Sequence, residues 1–330
     1  MTVGAASPDP KMRDASDPPA SRIDRFALVI GTMEGQALEL HDRLAAHPEL
    51  ARCRTRESNF FGSDRQWSRG SSYYRGLWPD YDPDRHAWAL EISTNYAKRP
   101  WHPETAAQIE TFARKTAARF KLIYIVCDPV DRTEAHIAHN LAEGRITTRT
   151  YTRHIEQVLD VLRYAYQLEP FADRLDPSDI LVLDGDAFAA DPADALRDCT
   201  RFLGIDSERF PPARPAPSPP PAEASRFRFD AQERRRLGAA LRDDALRFRD
   251  RWGFDISGWD LPEADGKSVG GVRDGMALTP PAAIPADRAS VDPPAPQGAP
   301  IVSGYWKRRK RMMYEQDVLA IARLRPGPGA

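Results

Sequence analysis

Short apolar runs alternate along the chain with segments whose apolar positions recur every three or four residues. Arg25-Phe26-Ala27-Leu28-Val29-Ile30 ends at Gly31 and is apolar at consecutive positions, which suits a strand buried on both faces. The spacing that follows predicts a helix over 33–46, stopped by His47-Pro48. A second strand is expected over 87–92, a helix over 104–120, and then Lys121-Leu122-Ile123-Tyr124-Ile125-Val126, the strongest strand signal of the sequence. Asp128-Pro129 breaks that strand and opens a helix over 130–143. Residues 148–168 read as one long helix with Ile155, Val158, Leu159, Leu162 and Tyr166 on one face. A strand over 180–183 and a helix over 192–203, capped by Gly204, complete the series. Strand and helix in alternation predict an α/β fold, a parallel sheet flanked by helices on both faces.

Between these elements the pattern loses its period. Residues 52–85 are irregular and aromatic, with Phe60, Phe61, Trp67, Tyr73, Tyr74, Trp78 and Tyr81. Residues 211–221 hold seven prolines and predict an extended connector to a charged helix over 231–252, followed by Gly258-Trp259. Residues 1–22 are expected to be a disordered leader, 23–261 the folded domain, 262–300 a Pro/Gly-rich linker and 301–330 a basic C-terminal helix.

Composition narrows the function classes. The 330 residues carry 47 Lys+Arg against 48 Asp+Glu, a net charge of -1, which speaks against nucleic-acid binding by bulk electrostatics. The three cysteines, Cys53, Cys127 and Cys199, are scattered, so neither a disulfide framework nor a metal site is expected. No stretch approaches the ~20 apolar residues that span a bilayer. The first residues lack an apolar signal core, so the cytoplasm is the expected location.

The turn Gly31-Thr32-Met33-Glu34-Gly35-Gln36-Ala37-Leu38 lies between strand and helix, where P-loop folds cradle phosphate on backbone N–H groups. A working cradle usually adds a lysine and hydroxyls, and here Glu34, Ala37 and Leu38 supply neither. On these residues alone an ordinary strand–helix turn is the simpler reading.

Further landmarks change that. Gly31-Thr32, Leu40, His41 and His47-Pro48 fit in register the loop and helix of the sulfotransferases that use 3′-phosphoadenosine 5′-phosphosulfate (PAPS). Arg56-Glu57-Ser58-Asn59-Phe60-Phe61 is similar to that family's K-E-x-x-F-F, and Glu91-Ile92-Ser93-Thr94-Asn95-Tyr96 to its E-x-S-P-x-Y. The segment from Lys121 through Cys127-Asp128-Pro129-Val130-Asp131-Arg132 resembles K-x-I-x-x-x-R-D-P-x-x-R, with His136 and His139 beyond it. The resemblance implies the P-loop-type sulfotransferase fold, and sulfuryl transfer from PAPS to a hydroxyl or amine. It places Gly31, Thr32, Gly35 and Arg132 at the cofactor and Glu57 at the acceptor as general base.

The departures fall on the donor side. The family's loop lysine maps onto Glu34, its loop threonines onto Ala37 and Leu38, and its second loop glycine onto Gln36. The arginine that grips the nucleotide's 3′-phosphate maps onto Cys127, and the serine beside it onto Ala135. Loss of a single donor aimed at developing charge costs ~3–4 kcal/mol of activation free energy. A carboxylate 4 Å from a phosphate adds ~4 kcal/mol of repulsion at an effective dielectric of 20. PAPS chemistry in the usual pose is therefore expected to be badly impaired.

Each remaining candidate has a plainer alternative. Glu57, with Arg56 beside it, is a base or one half of a surface ion pair. His139 is a second acid/base or a helix-packing histidine, and the aromatic segment lines an acceptor pocket or fills the core. Cys127 reads as an inert small residue. Lys307, Arg308, Arg309, Lys310 and Arg311, flanked by Tyr305, Trp306, Met312 and Met313, suit an anionic surface, RNA or a partner groove, or else a solvated face of a docked helix. Two functions stay open: a sulfotransferase with an altered donor site, and a binding or scaffold protein that keeps the fold without catalysis.

Overall fold

In the computed structural model, residues 23–32, 36–211 and 227–262 are described. The leader, Met33, Glu34, Gly35, the proline tract from 212, and everything from 263 onward, the basic segment Lys307 to Arg311 included, lie outside the described residues.

Five strands form one sheet: β1 (Arg25–Gly31), β2 (Leu50–Arg52), β3 (Trp88–Ile92), β4 (Arg119–Val126) and β5 (Ile180–Asp184). Their order is β2-β3-β1-β4-β5 and every pairing is parallel. The α/β expectation is met. The apolar runs are explained by the two-residue repeat of a strand. Phe26, Leu28, Ile30, Leu122, Tyr124 and Val126 pack into one core, while Ala27, Val29, Leu90, Ile92, Ile123 and Ile125 pack into the core on the other face.

The expected helices appear as α1 (Gln36–Leu44), α4 (Thr105–Thr116), α5 (Pro129–Ala142), α9 (Pro192–Leu203) and α10 (Ala231–Trp252). The aromatic segment adds two short helices, α2 (Asp64–Trp67) and α3 (Gly70–Arg75), and α8 (Gly185–Ala190) follows β5. One expectation fails. The single helix over 148–168 is three pieces: α6 (Tyr151–Val158), a 3₁₀ turn over Leu159–Leu162, and α7 (Tyr164–Ala172). The break is imposed from α10, where the Asp244 carboxylate accepts the N–H groups of Ala165 and Tyr166 at 3.0 Å each and starts a new helix there.

The aromatic residues settle into the core. Phe60, Phe61, Tyr74 and Trp78 are at most 1% exposed, and Phe26 stacks on Phe120 while Phe60 stacks on Tyr74. After α10 the chain folds back across it, with Trp259 against Tyr164 and Phe248. Arg234 fastens this return by pairing with Asp131 and Asp260, each at 2.6 Å, and the Asp260 N–H donates to Asp128.

Gly238 on α10 makes that close approach feasible, because a Cβ there would stand 2.6 Å from the Asp260 carbonyl oxygen. Gly238→Ala gains ~1 kcal/mol of helix propensity but forces overpacking worth ~1–3 kcal/mol. The expected result is a net loss of about 1 kcal/mol in urea unfolding. A more stable variant would show that the 256–262 return does not lie on α10.

Candidate functional site

In a parallel sheet the loops at the carboxyl ends of the strands converge, and ligands bind where they do. Here those ends bring together Gly31-Thr32 after β1, residues 53–61 after β2, Ser93 to Lys98 after β3, Cys127 to Arg132 after β4, and Gly185-Asp186 after β5.

The side of the site that holds Glu57 is built on Glu91, a carboxylate with 0% exposure on β3. Its Oε1 accepts from Ser58, from Tyr96 at 2.7 Å and from Ser93 at 3.0 Å, and its Oε2 accepts from Tyr74. Four hydroxyls replace the water that the carboxylate gave up. The same groups hold the 57–61 segment: Ser93 Oγ accepts the Asn59 N–H at 3.0 Å, and Tyr96 OH accepts the Phe61 N–H at 3.3 Å. Burial, with Glu91 next to it, holds the Tyr74 and Tyr96 hydroxyls protonated far above the usual tyrosine range.

This clamp supports an uncommon backbone. Glu57 and Asn59 both have left-handed φ, 51° and 52°, a conformation that costs about 1 kcal/mol for a side chain such as Glu. The Glu57 N–H donates to Ile92 O at 3.1 Å, and its carboxylate accepts the Thr94 N–H at 2.9 and 3.2 Å. Burial raises its pKa above the ordinary 4.5, opposed by the charge of Lys98 and by the Thr94 bond. Arg56 is not its ion-pair partner as the sequence suggested: that guanidinium turns away and grips Asp42 with both carboxylate oxygens. Lys98, only 3% exposed, is the cation that acts on Glu57.

On the donor side, Thr32 is buried and its N–H bonds Ile125 O at 3.2 Å. Gln36 donates its side-chain amide to Gly185 O at 2.8 Å and so ties α1 to the end of β5. Asp128 caps α5 through the Val130 N–H at 2.7 Å. Burial pushes the Cys127 thiol up to about 11, with Asp186 and Asp128 adding to the rise and Arg132 opposing it. A neutral thiol fits the inert reading. Arg132 is 6% exposed and lies over the Tyr164 ring at 5.5 Å.

His139 is exposed on the last turn of α5, 11 residues from Asp128 in sequence, which is about 16 Å along the helix axis. The structure does not bring it to Glu57. His136 is the buried one, with its Nε2 3.0 Å from His154 Nε2 and 3.1 Å from Asn140 Nδ2, a packing arrangement between α5 and α6. Sequence reasoning missed Lys98, the clamp role of Glu91 and the Gln36 tie. A lone acid inside the apolar run Trp88 to Ile92 was the available signal, since it demands buried donors.

The architecture is the α/β fold of a sulfotransferase from Alicyclobacillus acidocaldarius, with TM-score 0.56 and 21% identity over 72% of this chain and 98% of that one. In sequence, the chain is 27% identical over 228 residues to mouse (Mus musculus) heparan sulfate glucosamine 3-O-sulfotransferase 3B1, covering 62% of this chain and 55% of that protein. It is 25% identical over 206 residues to the mouse bifunctional heparan sulfate N-deacetylase/N-sulfotransferase 1, covering 56% of this chain and 23% of that protein. No family model matches. In sequence the chain is thus similar to sulfotransferases, and it spans about half or less of the length of these two relatives. Among the described residues no helix is long and apolar enough to cross a membrane.

Two outcomes test the clamp. Glu91→Gln points an amide donor at hydroxyls that need an acceptor, and is expected to cost roughly 2–4 kcal/mol in denaturant unfolding, against about 1 kcal/mol for Tyr96→Phe. Glu57, with its raised pKa, binds more protons folded than unfolded, so the stability it gives at low pH is lost as pH rises from about 4.5 through its folded value. Wild type minus Glu57→Gln stability should therefore fall across that window. A difference that rises with pH would show Glu57 to be ion-paired rather than desolvated.

Proposed function

We propose that this chain is an acceptor-binding member of the sulfotransferase family in which PAPS is not held in the family's usual pose. The family reaction sets the class: sulfuryl transfer from PAPS to a hydroxyl or amine. The observation that carries the acceptor half is the placement of Glu57. A half-buried carboxylate with a raised pKa, fixed by the Thr94 N–H, has the properties of a general base for a hydroxyl or ammonium proton. The relatives' heparan sulfate acceptors suggest a hydroxyl-rich acceptor here.

The donor half does not fit PAPS. Where the family holds the 3′-phosphate with arginine and serine, this chain offers a neutral thiol at Cys127 and an exposed Ala135 without a hydroxyl. Gln36 stands where the loop needs a glycine, with its amide committed to Gly185. Asp128 and Asp186 lie close enough to Cys127 to raise its pKa, so a dianion there would meet two carboxylates. No transfer step is derived through PAPS. These observations favour the second reading, a binding or scaffold protein that keeps the acceptor cleft without catalysis.

Calorimetric titration with adenosine 3′,5′-bisphosphate separates the two. The expected result is no binding at millimolar ligand by the wild-type chain, and a gain of binding in Glu34→Lys combined with Cys127→Arg. Micromolar binding by the wild type would restore the PAPS enzyme.

A further inference from the structure

The candidate site occupies the carboxyl ends of the strands. Strand β1 runs from Arg25 to Gly31, so the opposite, amino edge of the sheet lies about 20 Å away at ~3.3 Å per residue. That edge carries exposed charge of both signs. Arg25 opens β1, Arg119 opens β4, and the two are register partners on neighbouring parallel strands. Both are exposed, as are Arg114 and Lys115, which end α4 just before the chain turns into β4 through the left-handed Ala117. Among the described residues none of these four cations is ion-paired. Cations close by are paired: Lys121 with Asp179 at 3.4 Å and Arg174 with Glu110 at 3.6 Å. Asp24, beside Arg25 in sequence, is an acid whose charge is felt at Arg75. Like charges side by side on adjacent strands are destabilising, so this half of the edge is short of negative charge.

Negative charge lies on the same edge, one strand over. Strand β3 flanks β1 on its other side, with Ala89 opposite Phe26, and the chain enters β3 from Asp80-Tyr81-Asp82-Pro83-Asp84. Tyr81 is buried and anchors this turn, while Asp80, Asp82 and Asp84 are exposed. The His86 N–H on Asp82 O at 2.8 Å and the Asp82 N–H on His86 Nδ1 at 2.9 Å close it. Among the described residues none of the three carboxylates is paired with a lysine or arginine, and the turn's own cation is Arg85. Across the edge the order is therefore the acidic turn at β3, Arg25 at β1, then Arg119 with Arg114 and Lys115 at β4.

A surface divided in this way is complementary to itself. Turned about a twofold axis at the border, it sets the acidic half of one copy on the basic half of the other, twice over. A partner of one sign, such as an anionic polymer or lipid surface, would cover the basic half and be repelled by the acidic turn. We infer that the amino edge of the sheet is a self-association surface, on which a second copy of this chain docks so that Asp80, Asp82 and Asp84 of each copy meet Arg25, Arg114, Lys115 and Arg119 of the other. The contact leaves the carboxyl ends of the strands, and Glu57 with them, open in both copies. It does not depend on the acceptor reading.

Sedimentation velocity of the full-length chain tests this. A concentration-dependent dimer is expected at about 50 mM sodium chloride, and its dissociation at about 500 mM, where screening is several times shorter in range. Arg25→Glu with Arg119→Glu, and separately Asp80→Lys with Asp84→Lys, should each weaken self-association about tenfold or more, and the four changes together should restore it. All four positions are exposed, so circular dichroism is expected to show each variant folded. Should one reversed pair fail to fold, the other carries the test alone. A wild-type chain that stays monomeric up to about 100 µM at low salt overturns the proposal, and so does a dimer that survives either charge reversal. A monomer that binds phosphatidylserine vesicles through Arg25 and Arg119 also overturns it, and assigns the basic half to a lipid surface.

Discussion

Glu91 is a carboxylate closed off from solvent, and the chain around it is arranged by how that charge is satisfied. Its hydroxyl donors come from three stretches of chain: Ser58 from the segment after β2, Tyr74 from α3, and Ser93 and Tyr96 from the end of β3. Oε1 takes three of these donors and Oε2 the Tyr74 hydroxyl, in a site closed to solvent, so the segments are coupled energetically as well as in space. The left-handed backbone at Glu57 and Asn59 persists because bonds on both sides of Ser58 hold it. An aromatic wall of Phe60, Phe61 and Tyr74 closes the clamp from behind. The aromatic residues thus act on the site indirectly, by keeping the dielectric around Glu91 low.

The donor half follows a different electrostatic logic. At the end of β1 and the end of β4 this chain places a side-chain amide, Gln36, and a neutral thiol, Cys127. Cys127 with a pKa near 11 stays protonated at neutral pH and offers a phosphate nothing but a weak donor.

Much of this was legible in the sequence, and the reasons for the misses are physical. The strands were readable because a parallel sheet covered on both faces demands uninterrupted apolar residues, as in Phe26 to Ile30 and Leu122 to Val126. Glu57 and the donor-side substitutions could be located because their motifs keep register. The break between α6 and α7 could not be seen, since its cause, Asp244, lies 79 residues from Ala165 and meets it only after folding. The partner of Arg56 was misread for the same reason: adjacency in sequence suggested Glu57, but the left-handed turn at Glu57 sends the two side chains apart, and Asp42 on α1 meets the guanidinium instead. Lys98 carried no motif at all. Its significance comes from burial, which no local pattern around it announced.

The two halves need not share a fate. The clamp gathers hydroxyls around Glu91, and the bonds that form it do not pass through Gly31, Thr32 or Gln36. The end of β1 is held separately, by the Thr32 N–H on Ile125 O and the Gln36 amide on Gly185 O. Drift at Glu34, Gln36, Cys127 and Ala135 would therefore be tolerated by folding, because Cys127 and Gln36 remain well packed and bonded.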